Sequence, residues 1–223
     1  MSAVSVIESE LNQLIETRGF ARIAFPGGRS AVQLMEVLSN VDLAWSSVAV
    51  TLVDERAVNH LNEASNSKLV NETLLVNRAG SAVFEPLFNG LTADSSVHFL
   101  NSQVKPLDIA ILGVGEDGHF ASLFPAQEPV LGLVHSRAGF VATETSGSPC
   151  VPRISMTLSQ ILSAPLVVLL VSSEAKRERV LVGLKKQDPL NPVSYLLQSD
   201  HRSFLLMGLL LQCLRLYKQS SLL

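Results

Sequence analysis

Four short apolar segments, each of strand length, constrain the fold of this chain most strongly. They occupy residues 21–25, 48–53, 107–112 and 165–171. Apolar runs with so little polar alternation are typical of strands that are buried on both faces of a parallel sheet. Because segments with helical spacing lie between them, we predict an α/β fold: an open, mainly parallel sheet with helices on both faces, in a three-layer, Rossmann-like arrangement.

The regions between these segments differ in how clearly they can be assigned. Val4, Ile7 and Leu11 recur at helical spacing, and Gly19 marks the expected end of this first helix. Similar spacing predicts helices that follow residues 30 and 66, and residues 140–145 predict a further strand. Residues 78–106 contain only isolated apolar side chains among turn formers, so they support no assignment.

Length and composition predict one domain that spans residues 1–223. The chain has a mass of 24.0 kDa, with 47% hydrophobic and 17% charged residues, which is typical of a globular protein. The net charge of −3 leaves no broad basic surface, which argues against nucleic acid as a partner.

The same sequence predicts a cytoplasmic protein without membrane association. Acidic residues appear at the N-terminus before any apolar core of a signal peptide, and the most apolar window, residues 204–216, is too short to span a bilayer. Two cysteines, Cys150 and Cys213, are too few for a disulfide framework or a zinc site and suit a reducing compartment. We expect a monomer or a weak homodimer.

The first apolar segment is followed by a glycine-rich turn, PGGRS at residues 26–30. The amides of Gly27 and Gly28, together with the positive end of the next helix dipole, can meet an anion, and Ser30 can cap that helix. A tight turn between strand and helix, with no ligand, explains two glycines equally well.

Charged residues also collect where the other predicted strands end. Asp54 and Arg56 follow the second segment, and Lys176 lies within the first turn after the last one. Arg153 stands at the junction of an irregular loop and a strand, from which it can face a pocket. Such residues are often only solvated strand ends, but here they recur at several strands.

The loop after the third segment contains the residue types expected of a catalytic site. Gly113, Gly115 and Gly118 permit tight turns, while the sequence between and after them places two carboxylates, Glu116 and Asp117, beside His119. In open α/β sheets, ligands bind at loops in this position. A single histidine is, however, more often structural than catalytic.

The three glycines of this loop also match the spacing of a dinucleotide-binding fingerprint. Two observations argue that this match is accidental. Glu116 and Asp117 would set negative charge against a pyrophosphate, and no acidic residue ends a strand about 20 positions later.

Taken together, these motifs resemble the 6-phosphogluconolactonase family, within a wider group that includes glucosamine-6-phosphate deaminases and ribose-5-phosphate isomerases. The resemblance runs over most of the chain. It is carried by PGGRS at 26–30, DER at 54–56, SN at 65–66, GVGEDGHFASLFP at 113–125 and RISMTL at 153–158. The SLFP ending of the long motif resembles the lactonases, whereas the deaminases continue differently.

The resemblance implies hydrolysis of 6-phosphoglucono-1,5-lactone to 6-phosphogluconate in the oxidative pentose phosphate pathway, without a metal or an organic cofactor. His119 would act as the general base on water, Asp117 would orient it, and Glu116 would add to this. Backbone amides of the 113–118 turn would stabilise the oxyanion.

The same resemblance places the phosphate of the substrate on Arg56 and Lys176. Further residues expected to contact the substrate are Gly27, Gly28, Arg29, Ser30, Asp54, Asn66, Gly115 and Arg153. One departure concerns Lys176, because relatives carry a glycine shortly before this lysine and the present chain has Ser172 and Ser173.

Two alternatives remain open from the sequence. An isomerase or amino-sugar deaminase on the same scaffold would use a strand-end carboxylate such as Asp54 to abstract a proton beside a carbonyl. A sugar-phosphate-binding module without catalysis would keep the cationic residues and would not require His119.

Overall fold

The computed structural model describes residues 2–125, 136–143, 147–200, 204–208 and 213–216. The helices in this part of the chain are α1 Ala3–Arg18, α2 Arg29–Leu38, α3 Asn66–Thr73, α4 Ala93–Asn101, α5 Leu158–Ile161, α6 Glu174–Gly183 and α7 Val193–Leu197. The strands are β1 Ala21–Phe25, β2 Val48–Leu52, β3 Asp54–Arg56, β4 Val83–Phe84, β5 Ile109–Gly113, β6 Phe140–Thr143, β7 Arg153–Met156, β8 Leu166–Leu170, β9 Phe204–Met207 and β10 Cys213–Leu216.

The four apolar segments form the centre of a seven-stranded sheet in the order β10-β9-β8-β5-β1-β2-β4. Neighbouring strands are parallel except β9 and β10, which are antiparallel. Every residue of β2 and β8 is buried, as expected for strands covered by helices on both faces. The predicted α/β class with a mainly parallel sheet is therefore confirmed.

The strand order reverses beside β1. From β1 the chain proceeds to β2 on one side and later returns to place β5 on the other. The loops that leave the carboxyl ends of β8, β5, β1 and β2 therefore lie at one edge of the sheet, around the crevice where such folds bind ligands.

A second sheet, which the sequence did not predict, lies beyond β2. It contains β3, β7 and β6 in antiparallel pairing. Val53 connects the two sheets, because its amide donates to the carbonyl of Phe25 and its carbonyl accepts from Met156. The apolar run 48–53 thus forms a strand that ends at Leu52, and the charged residues after it belong to a new strand.

Local signals explain where several helices begin and end. Gly19 ends α1 with φ +73°, a left-handed conformation that glycine adopts without strain, as predicted. The expectation that Ser30 caps α2 is wrong: Gly28, at φ +84°, is the N-cap residue, and no side chain caps this helix. Residues 78–106 contain β4 and α4, whose capping box pairs Thr92 with Ser95 in place of the usual glutamate or glutamine.

The strand predicted at 140–145 is present as β6 up to Thr143, and residues 144 and 145 lie outside the described ranges. Within those ranges, no helix has the length and apolar character needed to cross a membrane. The expectation of a single domain over residues 1–223 stays a prediction.

One buried carboxylate fixes the start of α3. Glu55 is only 1% exposed and accepts five hydrogen bonds of 2.7–3.2 Å. The donors are the amides of Arg56, Asn66 and Ser67 and the hydroxyls of Ser65 and Ser67. A negative charge at a helix N-terminus is favourable, so this contact holds β3 and α3 together.

We predict that Glu55→Ala lowers the free energy of unfolding by about 3 kcal/mol, because five donors lose a buried acceptor. Urea denaturation followed by circular dichroism measures this change. Glu63→Ala is the control, since Glu63 is exposed and pairs with Lys68 at the surface, and its effect should stay within about 0.5 kcal/mol. Equal effects of the two substitutions would contradict the anchoring role.

Candidate functional site

A cavity of about 600 Å³ opens at the carboxyl ends of the central strands. Twelve of the thirteen site residues expected from the sequence line it: Gly27, Gly28, Arg29, Ser30, Asp54, Arg56, Asn66, Gly115, Glu116, His119, Arg153 and Lys176. The thirteenth, Asp117, lies behind His119 and contacts its ring. A second cavity, of about 360 Å³, is lined mainly by apolar side chains and contains none of these residues.

The imidazole of His119 is held from two sides. Its Nδ1 lies 2.6 Å from Oδ1 of Asp117, and the same oxygen accepts the His119 backbone amide at 3.1 Å. The ring stacks on Phe124 with 4.3 Å between centroids. Because Nδ1 is engaged, Nε2 is the nitrogen that remains available to a water molecule or a substrate.

The carboxyl group of Asp117 is ionised at neutral pH. Burial raises its pKa, but the hydrogen bond and the charge interaction with His119 outweigh this effect, so the pKa lies below the ordinary value. The resulting carboxylate can orient the imidazole and stabilise its protonated form.

Two glycines permit this close arrangement. A Cβ atom on Gly115 would lie 2.1 Å from Nδ1 of His119 and 2.4 Å from Oδ1 of Asp117. Gly118 has φ +86°, and a Cβ there would lie 2.0 Å from Oδ1 of Asn191. The amides of Gly115 and Gly118 donate to carbonyls within the turn, to His119 and Gly115 respectively. These two amides are thus unavailable to an oxyanion, contrary to expectation.

The two acidic residues of the loop have different surroundings. Asp117 is the carboxylate that bonds His119, whereas Glu116 is exposed, and its charge opposes the effect of burial, which lowers the pKa of Lys176. The backbone carbonyl of Glu116 accepts a hydrogen bond of 2.8 Å from Nε of Arg179 in α6. Glu116 therefore influences Lys176 by its charge, whereas Asp117 contacts His119.

Asp54 is buried within a polar network at the junction of the two sheets. Its Oδ2 accepts a 2.7 Å hydrogen bond from the hydroxyl of Ser122 and lies 4.0 Å from Nη1 of Arg153. Its backbone carbonyl accepts from Nδ2 of Asn66. These contacts link β3 to α3, β7 and the segment that follows His119.

Arg56 and Asn66 form a unit on the same wall. Nη1 of Arg56 donates to Oδ1 of Asn66 and to the carbonyl of Ala64, both at 2.7 Å. A Cβ atom on Gly27 would lie 1.9 Å from the same Asn66 oxygen, so only glycine fits at that point of the turn. The PGGRS turn thus packs directly on this unit.

Arg153 lies close enough to Arg56 for the two charges to repel. Its pKa is lowered chiefly by burial and further by Arg56, while Asp54 opposes both effects. The guanidinium lies 5.5 Å from the centroid of the Phe124 ring, so Phe124 contacts both His119 and Arg153. The Nε atoms of both arginines are buried, without a hydrogen-bond partner among the described residues. An anion in the cavity would relieve this excess of positive charge.

Lys176 completes the cationic lining from α6. Its Nζ donates to the hydroxyls of Ser30 and Ser172 at 3.0 and 3.1 Å. Its pKa is lowered chiefly by burial and also by Arg29, and Glu116 opposes this. Sequence reasoning did not include Ser172 and Ser173 among the site residues, although their position directly after a predicted strand was an available signal.

The described lining carries four cationic side chains, Arg29, Arg56, Arg153 and Lys176, against two carboxylates, Asp54 and Glu116. This balance favours an anionic ligand. Within the described ranges, no group of three or more His, Cys, Asp and Glu side chains is arranged to hold a metal ion.

Comparison with known proteins identifies relatives over most of the chain. Residues 1–205 match the family described as glucosamine-6-phosphate isomerases/6-phosphogluconolactonase. The 6-phosphogluconolactonase of Caulobacter vibrioides is 35% identical over 206 residues, which cover 89% of this chain and 88% of that protein. That of Helicobacter pylori strain J99 is 35% identical over 181 residues, covering 79% and 78%.

Solved structures show the same similarity. A 6-phosphogluconolactonase from Shewanella baltica superposes with a TM-score of 0.85 and 32% identity, covering 92% of this chain and 90% of that one. The 6-phosphogluconolactonase of Thermotoga maritima gives a TM-score of 0.77 at 25% identity, covering 92% and 93%. The chain therefore belongs to the glucosamine-6-phosphate isomerase/6-phosphogluconolactonase family.

Proposed function

We propose that this protein is a 6-phosphogluconolactonase, which hydrolyses 6-phosphoglucono-1,5-lactone to 6-phosphogluconate in the oxidative pentose phosphate pathway. The observation that carries the proposal is the His119–Asp117 pair on the wall of a cavity with excess positive charge. A general base next to a binding site for an anion suits a substrate that carries a reactive ester at one end and a phosphate at the other. The relatives named above, which cover most of the chain, support the same activity.

In the proposed mechanism, Nε2 of His119 takes a proton from water as the water oxygen attacks the lactone carbonyl carbon. The tetrahedral intermediate collapses, the bond from this carbon to the ring oxygen breaks, and the imidazolium returns its proton to that oxygen. Asp117 stabilises the imidazolium between these steps. The products are a carboxylic acid and a hydroxyl on one open chain, so no cofactor is consumed.

The phosphate of the substrate would be bound by Arg56 and Lys176, with Arg153 as a further cationic contact. Charge-assisted hydrogen bonds from guanidinium and ammonium groups suit a phosphate dianion. Gly27, Gly28, Arg29 and Ser30 would enclose the sugar phosphate or its hydroxyls, and Asn66 would hold Arg56 in place. We also propose that the protein acts in the cytoplasm, as one domain and as a monomer or a weak homodimer.

The family also includes isomerases, so proton abstraction by Asp54 is the alternative activity. Asp54 lines the cavity, but Ser122 already donates to one of its oxygens. Incubation with sugar phosphates in deuterium oxide distinguishes the two reactions, because an isomerase or deaminase exchanges a carbon-bound hydrogen and a lactonase does not. Binding of 6-phosphogluconate without turnover of the lactone would instead indicate a binding module.

We predict that the purified protein accelerates loss of the phosphorylated lactone above spontaneous hydrolysis and that His119→Ala lowers kcat at least about 100-fold, since the general base is lost. A pH-stat assay of acid release measures both quantities. His98→Ala, at an exposed position of α4, is the matched control and should keep wild-type activity. An unaffected His119→Ala variant would refute the base assignment.

We predict that Asp117→Asn lowers kcat about 100-fold with little change in KM, because the imidazolium loses its carboxylate. The folded-state pKa of Asp117 is depressed, so its contribution to stability is present at neutral pH and is lost as the pH falls through that pKa. The difference in unfolding free energy between wild type and variant should therefore shrink below about pH 4. A difference that does not depend on pH would contradict the ion pair.

We predict that Lys176→Met raises KM for the phosphorylated lactone about tenfold or more, since a charge-assisted contact to phosphate is removed. The KM for unphosphorylated glucono-1,5-lactone should change by less than about twofold. Lys185→Met is the control, because Lys185 is exposed just beyond the end of α6. Equal changes for both substrates would argue that Lys176 supports the fold and does not bind phosphate.

A further inference from the structure

We propose that Ser172 is a specificity-determining residue that binds the phosphate group of the substrate and positions Lys176 for the same task. The inference rests on the proposed function and extends it to a residue outside the site predicted from the sequence. It concerns the serine–lysine cluster, which consists of Ser30, Ser172 and Lys176.

The cluster is a closed triangle of polar atoms on the cavity wall. The two serine hydroxyls lie 2.8 Å apart, and Nζ of Lys176 lies 3.0 Å from one and 3.1 Å from the other. Ser30 lies in the first turn of α2, and Ser172 lies between β8 and α6. The two serines are 142 positions apart in the sequence, so the fold brings them together. All three side chains line the same cavity.

A count of hydrogens shows what the triangle leaves free. The ammonium group has three N–H bonds, of which two point to the serines. The two hydroxyls have one hydrogen each, and one of these forms the bond between them. One N–H of Lys176 and one serine O–H therefore remain unused within the triangle. Two adjacent donors of this kind match two oxygens of one phosphate group.

Charge favours the same ligand. In the described structure the hydrogen-bond partners of the ammonium group are two neutral hydroxyls, so no carboxylate neutralises it directly. Two ten-residue helices, α2 and α6, begin beside the cluster, and the positive ends of their dipoles add to the charge of Lys176. A half-buried cation without a direct counter-ion, next to spare donors, is suited to a dianion.

Ser172 has a distinct part in this arrangement. Its hydroxyl is one of two acceptors that hold the flexible lysine side chain, and it lies within hydrogen-bond distance of Ser30. An alanine at position 172 would leave Lys176 with one acceptor and would remove one hydroxyl hydrogen from the triangle. The cost should therefore appear in recognition of phosphate and not in the chemistry at His119.

The test compares Ser172→Ala with Ser172→Thr, which keeps a hydroxyl, and with Ser102→Ala, an exposed control outside the cavity. We expect Ser172→Ala to raise KM for the phosphorylated lactone about tenfold, with kcat within about twofold, and to leave KM for glucono-1,5-lactone unchanged. Calorimetric titration of the full chain with inorganic phosphate should show a similar loss of affinity. Ser172→Thr should stay within about threefold of wild type.

Several results would overturn the inference. One is that Ser172→Ala leaves KM and phosphate affinity unchanged, and another is that it raises KM equally for the two lactones. The inference also fails if Ser172→Thr does not keep the wild-type KM, or if the wild-type chain does not bind phosphate. A covalent acyl adduct on Ser172, detected by intact mass after incubation with the lactone, would also overturn it, since the serine would then be a nucleophile. If the wild-type chain hydrolyses neither lactone, the proposed function fails. The role of Ser172 in phosphate binding is then tested by the phosphate titration alone.

Discussion

Parallel pairing of β8, β5, β1 and β2 is the constraint on which the rest of the structure depends. Because these strands run in one direction, their carboxyl ends meet at a single edge of the sheet, and each delivers one polar loop there. The loops bring the PGGRS turn, Asp54, His119 and Lys176 to one cavity. The apolar strands supply the rigidity, since their residues are almost entirely buried.

The small sheet adds a second wall with a different energetic character. Pairing of β3 with β7 places Arg56 opposite Arg153 in register, so two like charges share one region. Asp54 and, more weakly, Glu55 offset part of this repulsion, because their negative charges favour the protonated form of Arg153. The remaining positive charge faces the cavity. A phosphate dianion would neutralise it, which connects the stability of this wall with the proposed substrate.

Separate groups of side chains would contact the two ends of the proposed substrate. His119 and Asp117 form a compact pair that only glycine at position 115 permits, because any side chain there would overlap both. Lys176, with Ser30 and Ser172 as its hydrogen-bond partners, would bind the phosphate from other elements of the fold. These partners are hydroxyls in place of a carboxylate. Separate groups allow a substitution to change recognition of phosphate without changing proton transfer, and the KM and kcat comparisons use this property.

The sequence by itself determined the α/β class, the central strands and most of the residues that line the site, because strand-length apolar runs and strand-end motifs are local signals. It did not determine the order of the strands or the second sheet, and it missed α4, whose capping box has Ser95 in place of the usual glutamate or glutamine. It assigned Ser30 to a helix cap and omitted Ser172, although the two hydroxyls bond each other. Only the tertiary structure decided the strand order, the second sheet and the contact between Ser30 and Ser172, since these depend on contacts between residues far apart in the chain. Local propensity carries no information about such contacts.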